Sequence, residues 1–286
     1  MSGPLIAVDA PSLLYRAFFA LPKTIVDDQG TPVNALLGSL NIMLNVVAER
    51  APRAVVFCFG PDAASYRVEL YPNYHAARPP VPEELAPQWA ASRAFFESFG
   101  WFVETHDSLE ADDLLGSFAA VEAEAGGEAL ILTGDRDLYQ CVGERVRVLY
   151  MKTGSKGPEL VDPAEVRKRY GVPPELVPDF IALRGDPSDG LPGGTGIGDK
   201  TASALLERHG SLEGAIAGAM SERSARVRGA LLDEADQLRD FREIAKLRSA
   251  EVARPPDRGT DFAGGAEAAR ARGMKRLAER LEPTQA

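Results

Sequence analysis

Nine carboxylates occur in short groups spread along the chain, and together they could bind metal ions. They are Asp9, Asp62, Glu110, Asp112, Asp113, Asp135, Asp137, Asp186 and Asp189. Carboxylates that are brought together repel one another and take up protons unless cations neutralise them. Their oxygens suit Mg²⁺ or Mn²⁺, and no His or Cys lies within these groups, which disfavours Zn²⁺. Two such ions can activate a water molecule and stabilise the leaving oxygen of a phosphodiester.

Each acidic group also has a structural explanation. Asp9 could cap a helix that starts near Pro11, and Glu110 fits a capping pattern that starts at Asp107. Asp135 could likewise cap the short turn that follows it. However, Asp112 and Asp113 are adjacent and lie in an otherwise apolar helical stretch, which is unusual for a solvated surface. The groups taken together therefore favour a metal site.

Composition limits the class of protein but does not exclude a nucleic-acid partner. The 286 residues include 42 acidic and 32 basic side chains, for a net charge of −10, and the nine grouped carboxylates account for nearly all of this excess. Apolar residues make up 45% and charged residues 26%, which is typical of a globular protein. Two cysteines cannot form a disulfide framework, and no stretch approaches the ~20 apolar residues of a membrane span. We expect a cytoplasmic protein without a membrane partner.

A glycine-rich segment at residues 184–202 reads RGDPSDGLPGGTGIGDKTA. Alternating glycines permit a tight hairpin between helices, and their N–H groups can face a phosphate. Lys200 and Thr201 fall at the predicted start of the next helix, where the helix dipole also attracts an anion. An ATP-binding phosphate loop is not indicated, because Asp199 makes the spacing one residue too long and no strand precedes it. The segment therefore predicts a grip on the sugar-phosphate backbone.

Apolar runs of strand length alternate with amphipathic stretches in the first half of the chain. Strands are predicted at residues 5–8, 54–59, 102–105 and 129–133, with an edge strand at 146–150. This alternation predicts an α/β fold with a mainly parallel sheet flanked by helices, whose ligands gather at the carboxyl ends of the strands. Residues 66–87 hold five prolines and three tyrosines and are predicted to be an insertion outside the core. From about residue 173 onward only helices are predicted.

Several motifs in order resemble the flap endonuclease or 5′-nuclease family, most closely the 5′-nuclease domain of bacterial DNA polymerase I. They are Val8-Asp9 with residues 15–21, Ser65-Tyr66-Arg67 with Tyr74 and Arg78, the acidic run 110–113, residues 133–140 and the glycine-rich hairpin. The resemblance extends from Ile6 to about Leu247. It implies a PIN-like nuclease core at residues 1–172 with a helical arch at about 66–90. It also implies a helix-hairpin-helix and C-terminal helical region at residues 173–286.

The resemblance also assigns roles to the site residues. Asp9, Glu110 and Asp112 are implied to hold a first Mg²⁺ or Mn²⁺, and Asp135, Asp137, Asp186 and Asp189 a second, with Asp113 between them. Arg16, His75 and Arg78 fall at positions implied to act on the scissile phosphate. The residues implied to bind DNA are Tyr15, Tyr74, Gly194, Gly196, Gly198, Lys200 and Thr201. Backbone carbonyls of Ser188, Gly193, Thr195 and Ile197 match a site for K⁺.

Two positions depart from the family pattern. Gly60 stands where the family usually has an Asp, and we predict that Asp62 supplies the missing carboxylate. His75 stands where the family usually has a Lys, and a histidine with an ordinary pKa of about 6.5 is mostly neutral at pH 7. Charge stabilisation at that position is therefore predicted to be weaker or sensitive to pH, unless the acidic site keeps His75 charged.

The function implied is a stand-alone 5′ flap endonuclease and 5′→3′ exonuclease for DNA repair and replication. An excised domain of a longer protein would carry the same motifs. The expected substrate is branched or nicked DNA with a 5′ flap, or an RNA primer in an RNA–DNA hybrid. The expected protein is a monomer, associated with the nucleoid and recruited by a DNA polymerase or sliding clamp. Two alternatives are a catalytically inactive junction-binding module and a PIN-type ribonuclease.

Overall fold

A computed structural model describes residues 3–152 and 157–282 of the chain. Its centre is a six-stranded sheet in the order β3-β2-β1-β4-β5-β6. The strands are β1 Leu5–Asp9, β2 Ala54–Phe59, β3 Phe102–Thr105, β4 Ala129–Thr133, β5 Val146–Tyr150 and β6 Glu159–Val161. The first five strands run parallel, and β6 pairs antiparallel with β5. The predicted parallel sheet is confirmed. The edge assignment of β5 was wrong, because the three-residue β6 is too short to show a pattern in the sequence.

Thirteen α-helices occur in the described residues. They are α1 Ala10–Ala20, α2 Asn34–Arg50, α3 Ser65–Leu70, α4 Ala86–Glu97, α5 Ala111–Glu124, α6 Pro163–Tyr170, α7 Val177–Arg184, α8 Asp199–His209, α9 Leu212–Ala217, α10 Ala225–Asp233, α11 Ala235–Ala245, α12 Phe262–Ala271 and α13 Lys275–Leu281. None of them is long and apolar enough to cross a membrane.

Helices cover both faces of the sheet, so β1, β2 and β4 are buried along their whole length and consist mainly of apolar residues. One face packs against α1, α2, α4, α12 and α13, and the other against α5 and helices α6 to α11. Phe95, Phe96 and Phe99 belong to the core rather than to a nucleic-acid surface.

Residues 66–87 are mostly exposed, as predicted for a segment outside the core, but several of their side chains are buried. Arg67, Tyr74 and His75 are buried, and α3 packs against α11. The last part of the predicted arch is a core helix, because α4 begins at Ala86 and packs Phe95 and Phe96 under the sheet. The buried polar side chains of this segment pair with the carboxylates described below. These carboxylates come from distant parts of the chain, so the composition of the segment does not predict the burial.

An extended strap at residues 248–261 returns from the helical region to the nuclease core. Its Arg248 and Ala250 amides donate to Asp113 Oδ1 and Ser117 Oγ at 2.8 Å, on one face of α5. The strap's Arg254 then pairs with Glu122, which also accepts from the buried Arg53. The strap ends at α12 and α13, whose apolar side chains join the core beneath α4. The two parts of the chain are thus tied together along α5.

We predict that Glu122→Gln destabilises the protein by about 3 kcal/mol, because it leaves the buried Arg53 guanidinium with the exposed Asp257 as its remaining charged partner among the described residues. Urea unfolding followed by circular dichroism measures the free energy of unfolding. Glu124→Gln, on the exposed side of the same helix, is the matched control and is expected to change it by less than 0.5 kcal/mol. Equal effects of the two substitutions would contradict a structural role for the buried pair.

Candidate active site

A cavity of about 610 Å³ opens at the carboxyl ends of β1 and β4. Asp9 is the last residue of β1, and Asp135 follows β4 by two residues. Asp112 enters the cavity from the first turn of α5, and Asp137 from the turn after Asp135. Parallel strands place these four residues, which are far apart in sequence, at one edge of the sheet.

These four carboxylates are the electrostatic centre of the cavity. None of them forms an ion pair among the described residues. Burial raises the pKa of all four, and the nearby carboxylates raise the pKa of Asp112, Asp135 and Asp137 further. The pKa of Asp135 is raised from 3.8 to about 7. Asp9 is oriented by hydrogen bonds from the Ser12 amide at 2.9 Å and the Thr133 hydroxyl at 2.6 Å. A set of uncompensated oxygen ligands of this kind fits a hard divalent cation.

The other five predicted ligands each have a cationic partner. The pairs are Glu110–Arg67 at 2.7 Å, Asp113–Arg67 at 3.0 Å, Asp62–Arg78 and Asp189–Arg78 at 3.1 Å, and Asp186–Arg184 at 3.2 Å. No three acidic, His or Cys side chains in residues 3–152 and 157–282 converge closely enough to form a preassembled metal cage. Mutual repulsion and these ion pairs keep the carboxylates apart around the cavity.

Arg67 anchors two of these carboxylates, and the sequence analysis did not assign it a role in the site. Glu110 forms an ion pair with Arg67, and it accepts hydrogen bonds from the Tyr74 hydroxyl at 3.0 Å and the Ala64 amide at 2.6 Å. Asp113 is fully buried, and it accepts from Arg67 and from the amides of Glu110 and Arg248. Asp113 therefore fixes the start of α5, which carries Asp112. Basic character at position 67 was visible in the sequence, but its burial was not.

The main chain of residues 109–111 fills the space that a side chain at position 60 would need. A Cβ at this position would lie 2.5 Å from the Leu109 carbonyl oxygen and 2.7 Å from the Ala111 nitrogen. The loop that carries Glu110 therefore occupies the place of the usual Asp side chain. Asp62 lines the same cavity, and its role as the replacement carboxylate stays a prediction. Its side chain is 72% exposed and pairs with Arg78.

His75 and Arg78 connect the 71–78 turn to the glycine-rich hairpin. His75 has a positive φ of 55°, and its amide donates to the Asp189 carbonyl at 3.1 Å. Its Nε2 lies 3.1 Å from Asp189 Oδ1, and its Nδ1 faces the Asp62 carbonyl oxygen. Both basic residues thus contact the candidate metal ligand Asp189.

The structure does not bring every predicted residue to the cavity. Tyr15, Tyr74, His75, Arg78 and Ser188 line it. Arg16 instead borders a separate small cavity together with Ile42 and Met151. Asp186 lies away from the lining, where it accepts from the Ser188 amide and hydroxyl.

The glycine-rich hairpin joins α7 to α8, as predicted. Gly185 and Gly193 both have positive φ, and their backbones meet so closely that no Cβ fits at either position. The Thr195 amide donates to Glu234 at 2.9 Å, and the Ile197 side chain is buried. Gly194 packs on Ile197 and Leu238, and Gly196 on Arg226. Gly198 precedes α8 without a side-chain cap, and Lys200 and Thr201 lie in the first turn.

Two family models match consecutive parts of the chain. The "5′-3′ exonuclease, N-terminal resolvase-like domain" matches residues 4–171, and the "5′-3′ exonuclease, C-terminal SAM fold" matches residues 172–256. The chain belongs to the 5′-3′ exonuclease family.

Relatives in this family include both short and long proteins. The chain is 37% identical to a 5′-3′ exonuclease of Mycobacterium tuberculosis, with 80% of this chain and 78% of that protein covered. It is 40% identical to a 5′-3′ exonuclease of Streptomyces coelicolor, with 77% and 76% covered. It is also 37% identical to the thermostable DNA polymerase I of Thermus thermophilus, over 98% of this chain and 32% of that enzyme. The chain thus spans about a third of that polymerase.

Solved structures of the same fold include two proteins that have low sequence identity to this chain. The T5 D15 protein, co-crystallised with metal ions, matches with a TM-score of 0.72 at 14% identity, with 97% of this chain and 96% of that chain covered. The catalytic core of Rad2 in complex with a DNA substrate matches with a TM-score of 0.63 at 14% identity, with 98% and 93% covered. These matches confirm the fold of this 5′-3′ exonuclease family member over nearly its whole length.

The raised pKa values predict how the metal-free exonuclease responds to pH. A carboxyl group whose pKa is raised by folding stabilises the protein fully below its ordinary pKa, and this stability is lost as pH rises through the folded-state pKa. For Asp135 the window runs from 3.8 to about 7. In EDTA, we expect the free energy of unfolding to fall by a few kcal/mol across this window relative to Asp135→Asn.

Manganese is expected to reverse this loss, because its ligands must be deprotonated. The increase in melting temperature on adding Mn²⁺ should therefore be larger at pH 8 than at pH 5.5, measured by differential scanning fluorimetry. The Asp135→Asn variant should show a smaller increase at both values. An increase that does not depend on pH would contradict metal binding at this cluster.

Asp62 provides a separate test, because Arg78 is the only ion-pair partner of its side chain in the described part of the chain. We expect Asp62→Asn to leave the apparent Mn²⁺ affinity within about twofold of wild type. By contrast, Asp112→Asn should lower it at least tenfold. Isothermal titration calorimetry with MnCl₂ measures both. A tenfold loss in Asp62→Asn would instead support the metal role predicted from the sequence.

Proposed function

We propose that this 5′-3′ exonuclease family member is a structure-specific 5′ flap endonuclease and 5′→3′ exonuclease that hydrolyses phosphodiesters with two Mg²⁺ or Mn²⁺ ions. One observation carries the proposal: Asp9, Asp112, Asp135 and Asp137 share a cavity without any cationic partner among the described residues. Burial of like charges is unfavourable unless the fold is arranged to receive a cation.

The four uncompensated carboxylates would hold the divalent ions, together with Asp189 once its side chain is released from Arg78. When bound, the ions would lower the pKa of a water molecule and offset negative charge on the leaving oxygen. The residues around the cavity offer no Ser–His or Cys–His pair, so direct attack by water without a covalent intermediate is favoured. The products would be a 5′-phosphate and a 3′-hydroxyl.

Arg78 is the residue best placed to bind the scissile phosphate. Its guanidinium is 36% exposed, lines the cavity and is held between Asp62 and Asp189 at 3.1 Å. A planar guanidinium can exchange a carboxylate for a phosphate with the same bidentate geometry. His75 would act with it from the adjacent turn. Arg16, which borders the neighbouring small cavity, would contribute only if the substrate extends past Gly134.

The glycine-rich hairpin would bind the duplex part of the substrate through its backbone. The start of α8 has no side-chain cap, so the first amides of this helix can donate to a phosphate, as at other helix N-termini. Lys200 and Thr201 lie in the same turn. We further propose that the carbonyls of Ser188, Gly193, Thr195 and Ile197 bind a K⁺ ion. RNA primers in RNA–DNA hybrids would also be substrates. The protein would act as a monomer that a DNA polymerase or sliding clamp recruits. A Rad2 core has been solved with a DNA substrate, which supports the nucleic-acid part of this proposal.

Cleavage of an end-labelled 5′-flap DNA tests the proposal directly. Wild-type protein should cleave with Mg²⁺ or Mn²⁺ and not in EDTA, and Asp112→Asn should lower the single-turnover rate by at least about 100-fold. Asp107→Asn, an exposed acid just before α5, is the control and should keep the wild-type rate. Tight flap binding with no product in either metal would favour the junction-binding module, and preferential cleavage of single-stranded RNA would favour the ribonuclease.

A further inference from the structure

An exposed aromatic side chain continues the wall of the cavity outward. Phe19 lies near the end of α1 and is 71% exposed. It stands four residues after Tyr15, so the two side chains share one face of the helix. Their rings are stacked, with centroids 6.4 Å apart and planes inclined by 21°. Tyr15 itself lines the cavity.

A single exposed apolar residue on a protein surface is ordinary and needs no explanation. Phe19 differs because it is the outer end of a row of rings. The Tyr15 and Trp89 rings are nearly perpendicular with centroids 5.8 Å apart, and the Trp89 centroid lies 6.1 Å from that of Phe59 at the end of β2. Tyr15 and Trp89 both line the cavity, whereas the ring of Phe19 is left open to solvent. The row therefore leads from the cavity of the candidate metal site to a solvent-exposed aromatic ring.

Contacts made by Lys23 and the proline-rich turn hold this end of α1 in place. The Lys23 ammonium lies over the Phe18 ring at 5.1 Å and pairs with Glu84 at 3.0 Å. This pair ties the end of α1 to the proline-rich turn, whose Pro80 and Val81 line the cavity. Phe18 packs edge-on against Phe19 at 5.2 Å. Phe19 thus sits on a fixed helix at the cavity mouth rather than on a loop.

We propose that Phe19 is a stacking platform for an unpaired nucleobase of the substrate strand. The inference rests on the proposed nuclease function, which supplies a single strand at this mouth. Aromatic rings bind successive bases of single strands by stacking, and they do so with little dependence on sequence. Phe19 follows Asp9 by ten residues, which is about 15 Å along the helix. At about 3.4 Å between stacked bases, the ring would meet a base about four nucleotides from the scissile phosphate.

A thermodynamic cycle tests the platform by removing the Phe19 ring, the nucleobase, or both, and comparing the DNA affinities. Flap DNAs carry one abasic residue at successive positions of the unpaired strand, and binding is measured by fluorescence anisotropy in EDTA. With wild-type protein we expect about a tenfold loss of affinity at one position. Phe19→Leu should bind the intact and the abasic flap equally at that position, because the partner ring is gone. Phe19→Trp should restore the difference.

Phe262→Leu is the matched control. Phe262 is 44% exposed on α12 and does not line the cavity, so this variant should behave as wild type. A melting curve checks that Phe19→Leu is folded. The inference is overturned if Phe19→Leu binds the intact flap with wild-type affinity. It is also overturned if the abasic residue lowers the affinity of Phe19→Leu as much as that of wild type at every position. It is also overturned if Phe19→Leu only abolishes self-association of the chain.

Failure of the platform and failure of the proposed function give different results. If wild-type protein cleaves flaps with Mg²⁺ but the binding cycle shows no coupling to Phe19, the platform is overturned and the nuclease function stands. If no flap is cleaved, the nuclease function fails, whereas the cycle in EDTA still reports whether Phe19 contacts a base.

Discussion

Repulsion among buried carboxylates is the constraint on which the site depends. Asp9, Asp112, Asp135 and Asp137 face one cavity without a cationic partner among the described residues, and burial holds their pKa values above the ordinary range. Such an arrangement costs stability in the free protein. It persists because strands β1 and β4 and helix α5 fix the backbone positions, and the packing of those elements does not depend on the ionisation of the acids.

The remaining charges form a shell that keeps this cluster separate. Arg67 neutralises Glu110 and Asp113, and Arg78 is shared by Asp62 and Asp189. The two arginines have different roles, because Arg67 is buried and also donates to the Ile244 carbonyl, whereas Arg78 lies at the cavity mouth. A buried guanidinium with several fixed acceptors holds elements together. A half-exposed one can change partners when a phosphate arrives.

Asp113 shows how closely the two parts of the chain are joined. One carboxylate receives hydrogen bonds from α3, from the start of α5 and from the strap that returns from the helical region. The loop at Glu110 is in turn packed directly on Gly60, which leaves no room there for a side chain. The metal-facing turn of α5 is therefore positioned by contacts from both sides. Changes in the helical region can reach Asp112 through this connection.

Several features were determined by the sequence alone. The apolar strands, the glycine-rich hairpin and the ordered acidic motifs predicted the α/β fold and the family, because strand burial, turn geometry and ligand chemistry each require particular residue types at short spacing. The sequence also placed Asp9 and Asp135 at the ends of neighbouring strands, since parallel strands end at the same edge.

Only the tertiary structure decided how most of the nine carboxylates are compensated, because cations such as Arg67 and Arg78 reach them across the fold. It also decided the burial of Tyr74 and His75, the closure of the space at Gly60 and the exposure of Phe19. These features depend on how distant segments pack against one another, and no local pattern of residue types encodes that packing.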